Sequence, residues 1–186
     1  MKKHKVDRWD YPEFVIDHWE SVGYDLLLLV FQQAEKYLAE TVKSGEGITE
    51  KAFKVLGFSI TILTVSLGYV FVSENQNELL QLSSVFAILL CILSIVFLIK
   101  PIWSYKTYVS GSSPSYLLRN EQLVTGFSES KDQARNLLLS ECVEYQERIN
   151  YNIRTNFSRS KFVHFAIISL ILIPFTLILS WLFTGG

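Results

Sequence analysis

Two long uncharged runs, separated by a short polar stretch, constrain this chain more than any other feature. Residues 55–72 and 79–99 contain no Asp, Glu, Lys or Arg, and only residues 73–78 lie between them. At about 1.5 Å of rise per residue, each run is long enough to cross a hydrocarbon core of about 30 Å as a helix. The pattern predicts a transmembrane hairpin, with spans over about 54–72 and 79–99.

A third apolar run covers residues 162–183 and is interrupted only by His164 and Pro174. We therefore expect an all-α polytopic membrane protein with three transmembrane helices and a cytoplasmic helical layer, assembled as a symmetric oligomer. The predicted organisation is an N-terminal amphipathic helix, the hairpin, a linker with a long helix, and the third span with the C-terminus, at residues 1–52, 53–100, 101–161 and 162–186.

The distribution of positive charge predicts the topology. All 17 Lys and Arg residues fall in 1–54 and 100–161, and none lies in the hairpin loop or after the third run. Because cationic segments resist translocation, we expect the N-terminus and the 100–161 segment in the cytoplasm, and the hairpin loop and C-terminus outside. Cys91 then lies within a span and Cys142 in the reducing cytoplasm, so no disulfide is expected.

The first helix of this layout has a clear start signal. Asp10-Tyr11-Pro12-Glu13 combines an N-cap, a first-turn proline and an acid. The helix is expected to run to about Val42 and to stop at Ser44-Gly45-Glu46-Gly47, with Thr49 capping the next helix. Apolar residues recur at three- and four-residue steps along it. This stripe indicates a helix buried in the cytoplasmic layer, a subunit interface, or both.

Each span carries small residues at helical spacing. Such rows let helices pack closely in lipid, which is one interpretation. The alternative is that Thr61, Thr64, Ser169 and Thr176 line a narrow, weakly polar pore. No charged residue lies deep in a span, which argues against an ion-coupled transporter. The rows are Gly57, Thr61, Thr64 and Gly68; Ser84, Ala87, Cys91 and Ser94; and Ser169, Thr176 and Ser180.

A second long helix is expected to begin near Ser128 or Ser130 and to continue unbroken into the third span. It carries a heptad-like seam that changes from apolar residues to asparagine towards the span. Asparagine in such a seam fixes helix register, and it would also suit a wet vestibule above a pore. The seam consists of Leu138, Cys142, Tyr145, Ile149, Asn152 and Asn156.

Positive charge accumulates along the same helix. After Glu147, the bases Arg148, Arg154, Arg159 and Lys161 follow with no acid among them. One interpretation is anchoring to anionic lipid headgroups. The other is a ring of these side chains in an oligomer that binds the phosphates of a nucleotide or oligonucleotide.

No catalytic set is recognisable in the sequence. His4, His18 and His164 are scattered, and neither paired histidines nor cysteine–histidine metal spacing occurs. We expect no cofactor, no metal and no enzymatic activity.

The layout as a whole is similar to a known group of proteins. A cytoplasmic helix, a tight hairpin, the linker Ser113-Pro114-Ser115-Tyr116-Leu117-Leu118, and a long helix with Tyr145 and Asn152 before a third span resemble the small membrane effectors of bacterial anti-phage systems. These include SLATT-type effectors, which have two spans, and the Hailong effector. The resemblance implies an oligomeric inner-membrane pore that is held closed and opened by a nucleotide signal from a partner nucleotidyltransferase.

Two functions follow from these observations. The first is an oligomeric channel or pore-forming effector that is triggered through its cytoplasmic helices and depolarises the membrane. The second is a non-conducting membrane anchor or accessory subunit that docks a cytoplasmic partner. Conductance without a stoichiometric partner distinguishes the first from the second.

Overall fold

The computed structural model describes residues 22–72, 78–103, 106–111 and 130–184, which contain three helices and no strand. These are α1 (Tyr24–Val72), α2 (Glu78–Ile102) and α3 (Ser130–Thr184). The all-α prediction is confirmed. So are the start of a helix at Ser130 and its unbroken continuation to Thr184.

Two of the helices are much longer than a bilayer requires. With 49 and 55 residues, α1 and α3 extend for about 73 and 82 Å, against a hydrocarbon core of about 30 Å. The 25 residues of α2 match a single crossing. All three helices are long and apolar enough to cross a membrane, which confirms the expected number of spans.

The predicted helix stop at residues 44–47 is wrong, because α1 passes through both glycines without a break. Thr49 does not cap a new helix, since it lies inside α1 and its hydroxyl donates to the Gly45 carbonyl at 3.1 Å. A glycine inside a helix costs about 1 kcal/mol relative to alanine. Packing offsets this cost at Gly45, where the Asn156 side chain of α3 comes so close that a Cβ would lie 2.9 Å from its Oδ1.

The beginning of α1 also differs from the prediction. Val22 and Gly23 lie outside the helix. The Leu27 amide donates a hydrogen bond to the Gly23 carbonyl at 3.1 Å, in the first turn of α1. The prediction of an unbroken helix over residues 10–42 is therefore wrong at Val22 and Gly23. The predicted helix start at 10–13, the hairpin loop up to residue 77 and the linker at 113–118 lie outside the described residues.

The chain divides into two compact units. The first unit contains, among the described residues, 22–44, 106–111 and 130–154. Its core is formed where α1 packs on α3, with Phe31, Leu38, Tyr145 and Ile149 in contact. The predicted seam of α3 faces this core, because Cys142, Tyr145, Ile149 and Asn152 are all buried. It therefore packs against α1 of the same chain.

The second unit contains residues 45–72, 78–103 and 155–184, and all three helices contribute to its core. One cluster joins Ala52, Leu98, Val163 and Ala166, and a second joins Ala87, Cys91 and Ile173. Small side chains occupy four of the seven buried positions in these clusters, whereas large apolar side chains such as Phe58, Phe71 and Phe175 are exposed. Small residues at helix contacts and a bulky apolar exterior suit contact with lipid, so this unit is the membrane part of the protein.

The rows of small residues do not all have the same environment. Ser84, Ala87, Cys91 and Ser94 of α2 are buried, and Ser94 shares a hydrogen bond with the buried Ser59 of α1 at 3.0 Å. This row packs α2 against both α1 and α3, as the packing interpretation predicts. The row on α1, from Gly57 to Gly68, is exposed, and a Cβ on either glycine would meet no atom within 4 Å.

Replacing Gly45 by alanine should destabilise the protein, whereas the same change at Gly47 should not. A Cβ at residue 45 would meet Asn156 Oδ1 at 2.9 Å, but a Cβ at residue 47 meets nothing within 4 Å. The clash should cost about 1–3 kcal/mol and the better helix propensity of alanine should return about 1 kcal/mol, so we expect Gly45→Ala to lower the free energy of unfolding by up to about 2 kcal/mol. Gly47→Ala should raise it by up to about 1 kcal/mol. Thermal unfolding in detergent micelles, followed by circular dichroism, measures both, and equal effects would contradict the close approach.

Candidate functional site

The first unit contains a buried amide that binds an extended piece of chain. Asn152 is 2% exposed. Its Nδ2 donates to the Tyr108 carbonyl at 2.8 Å and to Thr41 Oγ1 at 3.1 Å, and its Oδ1 accepts from the Tyr108 amide at 3.2 Å. One side chain thus pairs with both backbone groups of Tyr108, as a neighbouring β-strand would. The backbone of the non-helical residues 106–111 thus obtains from α3 hydrogen-bond partners that a helix or strand would supply locally.

Two more side chains of α3 bind the same segment further along. The Tyr145 hydroxyl accepts from the Gly111 amide at 2.8 Å, and Arg148 Nη1 donates to the carbonyls of Val109 and Gly111 at 3.4 and 3.2 Å. Arg148 also forms an ion pair with Glu144 at 3.1 Å. Gly111 has φ of +92°, a conformation that favours glycine. Tyr145, Arg148 and Asn152 are separated by steps of three and four residues, so they lie on one face of α3.

The environment of Tyr145 keeps its phenol neutral. Its ring stacks on Phe31 with centroids 5.2 Å apart, and the Arg148 guanidinium lies 5.4 Å from the ring centroid. Burial raises the pKa of Tyr145, although the Gly111 amide and Arg148 act in the opposite direction. A raised pKa means that ionisation opposes folding, so the stabilisation is complete below the ordinary tyrosine pKa and is lost only in strong alkali.

The second unit has its own buried polar centre at Arg159, which is 6% exposed. Its Nη2 donates to the Pro101 carbonyl at 2.7 Å and to Thr49 Oγ1, and its Nη1 donates to the Gly45 carbonyl at 3.4 Å. A single guanidinium therefore joins α3 to α1 and to the end of α2. The Pro101 carbonyl is among the last of α2, where the helix dipole favours a cation.

The four bases of the predicted ligand site differ both in the unit to which they belong and in their exposure. Arg148 and Arg154 belong to the first unit, and Arg159 and Lys161 belong to the second. Arg148 and Arg159 bind backbone carbonyls of their own units, as described above. Arg154 and Lys161 are exposed, with Lys161 Nζ 4.4 Å from the Phe157 ring centroid. The last two are the members of the set whose charge faces outwards.

The predicted pore or vestibule residues also divide. Thr61 and Thr64 are exposed on α1, and their hydroxyls donate to the carbonyls of Gly57 and Ile60 at 3.0 and 2.9 Å. Ser169 is buried and Thr176 half-buried, with hydroxyls bonded to the carbonyls of Phe165 and Ile173 at 3.0 and 2.7 Å.

The two asparagines of the predicted vestibule have packing contacts. Asn152 is buried against the 106–111 segment, and Asn156 is half-buried beside Gly45. The vestibule, like the pore, stays a prediction.

Sequence reasoning identified the side chains of α3 but not their partners. The acceptors of Arg159 and Asn152 include the carbonyls of Pro101 and Tyr108. Every residue carries such a group, so no residue type signals it. Searching the described residues for clusters of three or more His, Cys, Asp or Glu side chains that could hold a metal ion gives none.

Comparisons with protein-family models, curated proteins and solved structures give no match to this chain. The function must therefore be argued from the geometry of the two units.

Replacing Asn152 by alanine should release the extended segment. The change leaves the half-buried Tyr108 backbone and the buried Thr41 hydroxyl without the amide, so we expect a loss of about 2–3 kcal/mol of unfolding free energy. The Tyr108 amide should also exchange faster with deuterium. Asn150→Ala is the matched control, because Asn150 is half-buried and accepts from Gln146 on the same helix at 3.0 Å. Equal exchange at Tyr108 in both variants would contradict the role of Asn152.

Proposed function

We propose that this chain assembles into an oligomeric channel or pore in the inner membrane of a bacterium and depolarises the cell in anti-phage defence. The observation that carries the proposal is the exposed row of small and hydroxyl-bearing residues on α1. Its members are Gly57, Thr61, Thr64 and Gly68.

This row differs from the rest of the lipid-facing surface. Phe58 and Val65 beside it are more than 65% exposed and suit acyl chains. The glycines offer no bulk, so a helix of a second copy can approach closely. The hydroxyls of Thr61 and Thr64 donate to backbone carbonyls, but each oxygen keeps lone pairs that can accept from water. Repeated around a symmetry axis, such faces would form a narrow, weakly polar lining.

Helix continuity supplies a route for control. Both α1 and α3 run without interruption across the boundary between the two units. A ligand or partner that shifts α1 or α3 in the first unit would act on helices that continue through the membrane unit. In this proposal, Arg159 holds the three helices together in the closed state.

The orientation is proposed from charge. All Lys and Arg residues lie in 1–54 and 100–161, so both segments remain cytoplasmic, and the hairpin loop and C-terminus lie outside. The resemblance to SLATT-type and Hailong effectors adds support for a defence role. The chain acts without catalysis in this proposal, and a partner nucleotidyltransferase makes its trigger.

Expression with a voltage-sensitive dye tests the proposal. Induction of the wild-type chain should collapse the membrane potential and slow growth, and purified protein should be oligomeric and conduct ions in planar bilayers. Thr61→Leu combined with Thr64→Leu should remove the conductance, because it fills the weakly polar face with apolar bulk.

Val65→Leu is the matched control, since Val65 is adjacent, exposed and already apolar. It should leave conductance unchanged. A monomer that does not depolarise cells contradicts the proposal. Co-purification of a stoichiometric partner without conductance would instead favour the membrane anchor.

Arg154 of the first unit and Lys161 of the second are each proposed as a separate phosphate contact, because they are the exposed members of the basic set. The double variant R154Q/K161Q should weaken binding of a short oligoadenylate by about tenfold, as expected for the loss of charge-assisted hydrogen bonds to phosphate. The variant K43Q/K51Q removes two other exposed lysines and should bind normally. Equal losses in both double variants, or no loss in either, contradict specific phosphate contacts at Arg154 and Lys161.

A further inference from the structure

The extended segment 106–111 has one edge bound to α3 and one edge open. In an extended chain, the N–H and C=O of one residue point to the same side, and those of the next residue point to the opposite side. Asn152 of α3 binds both backbone groups of Tyr108. The amides of Thr107 and Val109 and the Thr107 carbonyl therefore point away from α3. None of these three groups has a hydrogen-bond partner in the part of the chain that the structure describes.

The side chains of the segment alternate in the same way. Lys106 and Tyr108 lie on one face, since Lys106 Nζ is 4.7 Å from the Tyr108 ring centroid. On that face Tyr108 packs edge-on against Tyr151 of α3, with centroids 5.1 Å apart. Thr107 and Val109 are exposed, Val109 to 61%. Threonine, tyrosine and valine are all enriched in strands, so the open edge has the composition of an edge strand.

We propose that this open edge pairs with the same edge of a second copy of the chain, as two antiparallel strands related by a two-fold axis at Tyr108. An unpaired strand edge is a template for pairing with another chain. An interface on a two-fold axis requires a surface that is complementary to itself. The pairing does not rest on the proposed channel, because two copies can pair whether or not they conduct ions.

The backbone of the segment is complementary to itself in this register. Tyr108 of one copy faces Tyr108 of the other as a non-hydrogen-bonded pair, because Asn152 already binds its backbone groups. Thr107 of each copy then lies opposite Val109 of the other, and each such pair exchanges both N–H···O bonds. The Val109 carbonyl also accepts from Arg148 at 3.4 Å, and its second lone pair is available for the bond between copies.

The charges of the segment fit the antiparallel direction. Lys106 is the one charged residue of 106–111. In the antiparallel pair it lies opposite Ser110 of the other copy, so no like charges meet. A parallel pair in register would place the two Lys106 side chains next to each other, which is destabilising.

Two short strands alone are only marginally stable in water. Here each strand is already held in its extended form by α3, which removes part of the ordering cost of pairing. Copies that share a membrane also meet at a higher effective concentration than copies in free solution. The pairing is therefore to be measured in membranes.

Disulfide cross-linking in membranes tests the pairing and its register. Thr107→Cys and Val109→Cys, expressed together on separate chains, should give a mixed dimer on oxidation. Thr107→Cys expressed alone is the matched control and should react several times more slowly, because the two copies of residue 107 are diagonal neighbours. Cys91 and Cys142 are buried, so the wild-type chain should stay monomeric on a denaturing gel.

A second experiment tests the backbone hydrogen bonds. Tyr108→Cys should form a disulfide-linked dimer across the axis. Adding Thr107→Pro and Val109→Pro removes the open amides and should lower the yield of this dimer by about tenfold, as expected for the loss of hydrogen bonds between the copies. Proline is tolerated at an edge whose N–H faces outwards. Adding Thr107→Val and Val109→Thr instead keeps both amides and should leave the yield unchanged.

Deuterium exchange at the residue 108 amide reports whether the proline variant still binds Asn152. If the prolines free the segment, the comparison of the mixed dimer with Thr107→Cys alone decides. Equal yields in the proline and valine–threonine variants with the segment still bound would overturn the proposal. So would equal rates for the mixed dimer and Thr107→Cys alone, or no dimer in any variant.

Discussion

The three helices of the membrane unit depend on one buried charge. Moving a cation out of water costs several kcal/mol unless hydrogen bonds replace its hydration. Arg159 obtains this replacement from the carbonyls of Gly45 and Pro101 and from the Thr49 hydroxyl. Because these acceptors lie on α1 and α2, the guanidinium keeps its hydrogen bonds only while all three helices stay together. Gly45 permits the close approach that this arrangement requires.

The same helix performs a related task in the other unit. There, Tyr145, Arg148 and Asn152 supply hydrogen bonds to the backbone of residues 108–111. In both units, α3 contributes polar side chains, and other segments contribute backbone groups and one threonine hydroxyl of α1. This division of labour explains why α3 carries asparagine and arginine at positions where a plain helix pair would carry leucine.

Local patterns predicted the helices well and their partners poorly. The uncharged runs and the three- and four-residue spacing gave the spans and the inward face of α3, because both depend on neighbouring residues. The stop at Ser44–Gly47 was wrong, since glycine signals a break unless another helix comes close. That helix is remote in sequence, as the bond from Arg159 to Gly45 crosses 114 residues. Likewise, the sequence does not distinguish the exposed row of small residues on α1 from the buried row on α2.

The hydroxyl pair of Ser59 and Ser94 has a consequence for the hairpin. Hydrogen bonds between membrane helices contribute on average about 0.6 kcal/mol, which changes the ratio of two helix orientations by only about threefold. Either hydroxyl can donate, so the pair also accepts small rotations of α1 against α2. The orientation of α2 therefore depends more on the packing around Ala87 and Cys91, which cluster with Ile173 of α3, than on the serines. Rotation of α2 about its own axis would disturb this packing, so the third span opposes a movement that the serine pair alone would permit.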